Sequence, residues 1–465
     1  MKPARARTRD RKMPGKPTPR EFLMLWLRIG LTGFGGPAGQ IALMHEELVE
    51  RRGWFGEAAF RHALGYCMVL PGPEAQQLAT YLGWLLFGAA GGIAAGLLFV
   101  LPGLVLVLGL SWLLAGWGQT PVAGALLAGL KPAVVVLVAA AAWRLGGRLK
   151  QREGVVAALA LAATVSGLLH FAAIIALAAL AGWWMARGAV AGDAAKAEVS
   201  RASMSEAVEA ARSAGTAVAK DGGEFSDRGA TGASTVPQRR PTLRHLLLGC
   251  ATALAVWGLC RWAVGAGAPL LGELADLFTR AALVTFGGAY AVLPYVFDVA
   301  VREAHWLSPA QMIDGLALGE TTPGPLILVN SYIGFMAGWN ASGGDAGLAL
   351  AAALTVTLFT FLPSFAFILI GAPWVERSRD LAWLRAPLAG ISAAVVGLVT
   401  ALGLTFAAHV LWPQGWVEES LSGGLDARAA LLLALLASLR VRFGVGGVRL
   451  VASGLAAGLM LSLVS

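Results

Sequence analysis

Apolar runs long enough to form bilayer helices alternate with short polar connectors along almost the whole chain. In the first part they fall near 21–36, 57–88, 90–115, 121–143, 154–169 and 171–186. One run follows at 243–264, and six more fill 265–465, the last two near 426–440 and 447–464. The pattern predicts an all-α polytopic membrane protein of about thirteen segments. The first run of each half, 21–36 and 270–286, falls short of the ~20 residues a full crossing needs. These two either cross or dip in and stop. Two stretches break the apolar pattern. Residues 1–20 form a basic tail, and 187–242 collect Ser, Asp, Glu, Lys and Arg into a polar linker expected on the cytoplasmic side.

The runs on either side of the linker repeat. Phe34-Gly35-Gly36 recurs as Phe286-Gly287-Gly288, 252 positions on, and Arg28, Trp54 and Pro71-Gly72-Pro73 recur at the same offset as Arg280, Trp306 and Pro323-Gly324-Pro325. Further along, Leu101-Pro102 and Leu127-Ala128-Gly129 recur as Leu362-Pro363 and Leu388-Ala389-Gly390, now at 261. Shared offsets at separate places point to internal duplication. This divides the chain into repeats at 21–186 and 265–465, with 243–264 as an extra segment. Loop charge sets their relative sense. The connector after the Lys131 segment carries Arg144, Arg148, Lys150 and Arg152, whereas its counterpart carries Trp412, Trp416, Glu418, Glu419 and Asp426. One connector later the bias reverses, with Ser166-Gly167-Leu168-Leu169 against Arg440, Arg442 and Arg449. Basic connectors stay in the cytoplasm. The halves are therefore expected to be antiparallel, with the N-terminus inside and the C-terminus outside.

Composition fits a bilayer. Hydrophobic residues make up 57% and charged ones 14% of 465 residues, against roughly 25% charged in soluble proteins. Mean hydropathy is +0.68. Most of the 60 glycines are spread through apolar runs, as in closely packed transmembrane helices. These figures set aside a soluble enzyme, a disulfide scaffold and a disordered regulator. Much of the net charge of +9 sits in the tail, at Lys2, Arg5, Arg7, Arg9, Arg11, Lys12, Lys16 and Arg20. Before an apolar run, such a tail is a topology signal rather than a nucleic-acid site. Cys67, Cys250 and Cys260 form no CxxC pair, and the six histidines lack ligand spacing, so no metal or other cofactor is expected.

Candidate chemistry lies where apolar runs are interrupted. Each half places a Gly-Gly and a Pro-Gly-Pro inside apolar sequence: Gly35-Gly36 with Pro37, Pro71-Gly72-Pro73, Gly287-Gly288, and Pro323-Gly324-Pro325. A backbone break in lipid costs several kcal/mol per unpaired group and is tolerated where it lines a cavity. Half-helices starting at such breaks turn their N-terminal dipole ends inward, a cradle for an anion. A packing kink is the plainer alternative for any one proline. Lys131 lies inside an apolar segment, and its counterpart is Ser392, so symmetry does not demand its charge. An intramembrane Lys costs about 2.5–3.5 kcal/mol on insertion scales, which marks it as functional. Arg28 and Arg280 either join the anion or snorkel to headgroups. Gln76, Gln77, Thr322 and Asn330 offer hydroxyl and amide donors beside the Pro-Gly-Pro breaks, and Glu74 and Glu320 are proton-carrier candidates. The mixed-charge stretch 38–53 reads as interfacial.

At these residues the chain resembles the chromate ion transporter family, in its long-chain form. The likeness is carried by Phe34-Gly35-Gly36-Pro37, by 71–83 beginning Pro71-Gly72-Pro73-Glu74, by Gly129-Leu130-Lys131-Pro132-Ala133, by Phe286-Gly287-Gly288, and by Thr322-Pro323-Gly324-Pro325 running to Tyr332-Ile333-Gly334. It covers about 21–186 and 270–408. The second Phe-Gly-Gly is followed by Ala289 where the first has Pro37. The resemblance implies a bacterial inner-membrane secondary transporter that exports chromate and confers resistance to it, driven by membrane potential, a proton gradient or both. It also implies a small oxyanion and the bilayer as partners; a homodimer is compatible with it. Sulfate, another tetrahedral dianion, is the competing cargo. An intramembrane enzyme acting on lipid phosphates lacks paired acids or a nucleophile–base pair at membrane depth. A scaffold or sensor working through the linker is the remote alternative.

Overall fold

A computed structural model describes residues 17–34, 36–118, 120–147, 149–186, 243–286, 289–375, 382–413 and 424–464. The basic tail up to residue 16, Gly35, Arg148, Gly287, Gly288, the linker 187–242 and the connector residues 414–423 lie outside the described residues.

The described chain is helical. The first half runs α1 (Pro19–Thr32), α2 (Gly36–His45), a π-helical turn (Glu46–Arg51), α3 (Glu57–Cys67), α4 (Glu74–Trp117), α5 (Pro121–Gly146), α6 (Gln151–Val165) and α7 (Phe171–Ala186). After α8 (Leu243–Gly265) the order returns: α9 (Pro269–Val284), α10 (Ala289–Phe297), a π-helical turn (Asp298–Glu303), α11 (Pro309–Thr321), a 3-10 turn (Leu326–Leu328), α12 (Val329–Ser342), α13 (Ala346–Val375), α14 (Ala382–Leu411), α15 (Ala427–Phe443) and α16 (Gly447–Val464). The π turns and the starts of α3 and α11 are 252 positions apart, and the starts of α5 and α14 are 261 apart. Even single hydrogen bonds recur. Trp54 donates its amide to the Leu48 carbonyl and Trp306 to that of Ala300, both at 2.8 Å. The repeated Trp therefore marks the residue that closes each π turn.

Local sequence explains the helix starts and faces. Thr18 caps α1 with Glu21 reaching back, and Ser308 caps α11 with Gln311. α1 buries Phe22, Leu25, Trp26 and Ile29, one helical stripe. α9 buries Leu274 and Phe278 at the positions matching Phe22 and Trp26. α1 packs on α4, and α9 on α13.

α4 is a helical hairpin rather than one rod. Phe87 and Gly88 leave helical geometry, Gly88 with φ +65°. A Cβ on Gly83 would lie 2.5 Å from the Gly91 carbonyl oxygen, and one on Gly92 2.9 Å from that of Thr80. The two arms therefore run antiparallel in close contact. α12 and α13 make the same hairpin around Gly343-Gly344, with Gly338 packed on Ala349. The change of offset from 252 to 261 falls here: the second hairpin has longer arms.

Among the described residues, five helices are long and apolar enough to cross a membrane: α4, α5, α8, α13 and α14. No residue of α8 is buried. The chain forms two compact units. One contains the described residues of 1–141, 232–379 and 402–465, and so draws helices from both halves; the other contains those of 142–231 and 380–401. In the first unit α5 crosses α16 at Gly129, where a Cβ would meet the Gly454 carbonyl oxygen at 2.0 Å. In the second unit α14 crosses α7 at Gly390, where a Cβ would meet the Ala178 carbonyl oxygen at 2.0 Å. The repeated Leu-Ala-Gly thus encodes backbone-to-backbone crossings that only glycine permits, the contact by which helices associate in lipid.

Candidate functional site at the paired helix breaks

Both Pro-Gly-Pro breaks lie in the first compact unit. Proline has no N–H, so the glycine supplies the single amide donor of each triplet. Gly72 (φ +123°) donates to the Thr285 carbonyl at 2.7 Å, and Gly324 (φ +96°) donates to the Gly33 carbonyl at 3.0 Å. Thr285 is the counterpart of Gly33, just beyond the end of α9 as Gly33 is beyond α1. The two bonds are therefore reciprocal: the break of each half is anchored to the first helix of the other. Tight packing follows the same rule. A Cβ on Gly72 would lie 2.4 Å from Ser364 Oγ, and one on Gly103 2.3 Å from the Pro323 carbonyl oxygen. Gly103 and Ser364 each follow a Leu-Pro and are counterparts at offset 261.

Helices begin at each break: α2 at Gly36, α4 at Glu74, α10 at Ala289, and the 3-10 turn leading into α12 at Leu326. Because Gly72 and Gly324 spend their amides on carbonyls, the donors left for a ligand are those of the following first turns.

Buried polar side chains line these starts. Gln40 donates Nε2 to the carbonyls of Gly33 (3.1 Å) and Gly324, tying α2 to the opposite break. Gln77 Nε2 donates to the Pro71 carbonyl at 2.7 Å, and Gln76 Nε2 to Thr80 Oγ1 at 3.0 Å. Asn330 Nδ2 donates to Thr360 Oγ1 at 3.5 Å, and Thr322 Oγ1 to the Leu318 carbonyl at 2.9 Å. Among the described residues, Oε1 of Gln40, Gln76 and Gln77, Oδ1 of Asn330 and Oγ of Ser364 are buried without a hydrogen-bond partner. Such atoms cost about 1–3 kcal/mol each, and their gathering at the breaks marks a site equipped for a polar guest. The Ser364 hydroxyl can donate as it stands, and an amide presents its NH2 in place of its oxygen by a half-turn.

The charged candidates are distributed unevenly. Arg28 and Arg280 are exposed, on the faces of α1 and α9 opposite the buried stripes. Arg280 acts electrostatically on Asp276, which Arg261 of α8 grips at 2.7 and 2.9 Å. Glu74 is half-buried at the start of α4, where its charge complements the helix dipole. Glu320, half-buried near the end of α11, accepts a hydrogen bond from the Tyr290 hydroxyl of α10. Lys131 is half-buried on α5. Asp314 of α11, in the same unit, is a buried acid whose Oδ1 has no hydrogen-bond partner among the described residues. Sequence reasoning missed Asp314, Gln40, Tyr290, Thr285 and Ser364. Asp314 carried a usable signal, as a single acid amid the apolar residues of 312–318. Nothing local marks the others: Gln40, Thr285 and Ser364 act through contacts across the halves, and Tyr290 through Glu320, 30 positions on.

Helices doubled back inside apolar sequence, broken at matched positions and lined by buried polar groups, define a polytopic membrane protein of the transporter class. The family profile described as Chromate transporter matches residues 20–183 and 272–460. The chain belongs to the chromate transporter family. The match reaches past residue 408, so the likeness includes the C-terminal helices as well. A chromate transport protein of Pseudomonas aeruginosa is 31% identical over 404 residues, 84% of this chain and 82% of that one. One of Cupriavidus metallidurans is 26% identical over 393 residues, 82% and 81% of the two chains. An uncharacterized transporter of Bacillus subtilis, YwrA, is 29% identical over 125 residues, covering 27% of this chain but 70% of its own. No solved structure matches the chain.

Proposed function

We propose that the protein carries chromate across the bacterial inner membrane, out of the cytoplasm, by alternating access of two inverted halves around the paired breaks. The reciprocal pair of bonds, Gly72 to Thr285 and Gly324 to Gly33, carries this reading. Reciprocity is the mark of a two-fold relation. An axis in the membrane plane inverts the halves, and the opposite charge of matched connectors favours that axis. The short helices support it too. The 14 residues of α12 extend about 21 Å, less than the ~30 Å of hydrocarbon. A helix of this length reaches from one surface to mid-depth, where its broken end meets its neighbour's. Thirteen crossings then put the N-terminus inside and the C-terminus outside.

The first-turn amides, the hydroxyl and amide side chains of Gln76, Gln77, Thr322, Asn330 and Ser364, and the Lys131 ammonium would hold the oxyanion. A membrane potential suffices to drive export. Two negative charges moving outward across 100 mV release about 4.6 kcal/mol, a concentration ratio on the order of a thousand. Glu74 and Glu320 are the proton-carrying candidates if a pH gradient contributes.

Everted vesicles test the function. Chromate accumulation should fall when the potential is collapsed, and excess sulfate should compete weakly. Equal accumulation in vesicles lacking the protein would end the proposal, and preferred sulfate uptake would reassign the cargo. Label accessibility tests the topology: Lys150 should face the cytoplasm and Asp426 the outside. Finding both on one side would end the inverted arrangement.

A further inference from the structure

The two Pro-Gly-Pro breaks repeat in sequence but are lined differently. At the first, two donors converge from opposite halves: a Cβ on Gly72 would lie 2.4 Å from Ser364 Oγ of α13 and 2.8 Å from Gln77 Nε2 of α4. Both side chains are wholly buried. Among the described residues the Ser364 hydroxyl has no hydrogen-bond partner. The Gln77 amide nitrogen carries two hydrogens. One goes to the Pro71 carbonyl at 2.7 Å, which leaves the other unspent among the described residues.

The second break holds no such pair. The counterparts of Gln76, Gln77 and Ser364 are Leu328, Val329 and Gly103. A Cβ on Gly324 would meet Leu328 Cδ1 at 3.2 Å and the Gly103 Cα at 3.4 Å, an apolar cover. Gln40 reaches this break, but its amide hydrogens are committed to the Gly33 and Gly324 carbonyls. Thr322 likewise spends its hydroxyl on the Leu318 carbonyl. The following elements differ too. α4 starts after Pro73, whose side chain offers the first-turn amides no acceptor. After Pro325 comes only a 3-10 turn of three residues.

Glu74 opens α4, so net charge does not favour an anion at the first break, and unspent O–H and N–H groups must hold it. A buried hydroxyl left unpaired destabilises the empty protein, and an oxyanion that accepts from it removes that cost. Ser364 and Gln77 supply two donors from different helices, and the start of α4 supplies backbone amides, so several oxygens of a tetrahedral dianion are met at once.

We infer that the two breaks have divided their roles: the first holds one tetrahedral dianion through Ser364 and Gln77, and the second, closed by Gln40, Leu328 and Gly103, is a fixed anchor. This rests on the transport reading and narrows where the anion is held.

Equilibrium binding of labelled chromate and labelled sulfate to the full chain in lipid nanodiscs tests it. Wild type should bind one anion per chain. Ser364→Ala should weaken both anions by about 10- to 100-fold, the worth of a hydrogen bond to a charged acceptor. Its melting temperature without anion should match wild type, because the hydroxyl has no partner to lose, while the rise in melting temperature on adding sulfate should shrink. Gln77→Glu keeps the shape but replaces the donor with an acceptor, and should bind neither anion; if it fails to fold for want of the Pro71 bond, Ser364→Ala alone decides. Leu328→Met, at the second break, should bind within about twofold of wild type. Wild-type affinity in Ser364→Ala, two anions per chain, or an equal loss in Leu328→Met would overturn the inference and leave chromate transport standing. No chromate binding by wild type at any concentration would remove the transport reading itself.

Discussion

Gly103 offers a direct probe of the paired breaks. It sits inside the second arm of α4, and a Cβ there would lie 2.3 Å from the Pro323 carbonyl oxygen and 2.7 Å from Leu328 Cδ1. A carbonyl of the break's own backbone cannot swing aside as a side-chain tip can. Restoring ordinary contact requires α4 and the break to part by about 1 Å, with a cost of about 1–3 kcal/mol for overpacking. The same movement stretches the Gly324–Gly33 bond from 3.0 Å toward about 4 Å, out of hydrogen-bond range, and forfeits about 0.5–1.5 kcal/mol more. Alanine returns about 1 kcal/mol of helix propensity. Gly103→Ala should therefore lower stability by roughly 1–3 kcal/mol net and cut chromate uptake by everted vesicles at least tenfold at matched abundance. Gly109 is the control: it is on the same arm, and a Cβ there meets nothing within 4 Å. Gly109→Ala should transport like wild type and melt no lower. If the two variants behave alike in uptake and melting, the close approach of α4 to the second break is wrong.

Lys131→Ala should abolish chromate accumulation while its membrane abundance, measured by immunoblot, stays at the wild-type level; undiminished uptake would remove Lys131 from the site. His45 joins Glu57 at 2.7 Å and Glu50 at 3.2 Å, clasping α2 to the start of α3. Its hydrogen bond to Glu57 raises the imidazole above its ordinary 6.5, so the clasp is complete below that value and is lost as pH rises through the raised one. Melting temperature should drop over that window in wild type, and His45→Gln should flatten the drop. Asp276→Asn should cost about 1.5–3 kcal/mol by removing charge-assisted bonds to Arg261. Pairing it with Arg261→Met should recover part of the loss in a detergent melt, since no unmatched charge then remains.

Repetition and interruption were readable in the sequence because each is written in local residues. Phe-Gly-Gly, Pro-Gly-Pro and Leu-Ala-Gly announce a turn, a break and a close crossing wherever they stand, and the helices start and stop around them. Reach across the halves was not readable. Gln40 and the Gly324 carbonyl it bonds are 284 positions apart, in opposite halves. The acceptor for Gly72 is a backbone carbonyl, which any residue would provide. The compact units were hidden for the same reason. Gly390 signals that something comes close but not that Ala178 does.

The exchanged bonds at the breaks have a consequence for how such a chain can be divided. A polypeptide holding residues 1–186 alone would keep the donor at Gly72 and the acceptor at Gly33 but would lack the mate of each. It could satisfy them only by pairing with a second molecule, its own twin included. Joining two copies in one polypeptide makes that partnership permanent and unequal. One side is then free to keep a lysine where the other has Ser392, and an aspartate where the other has His62.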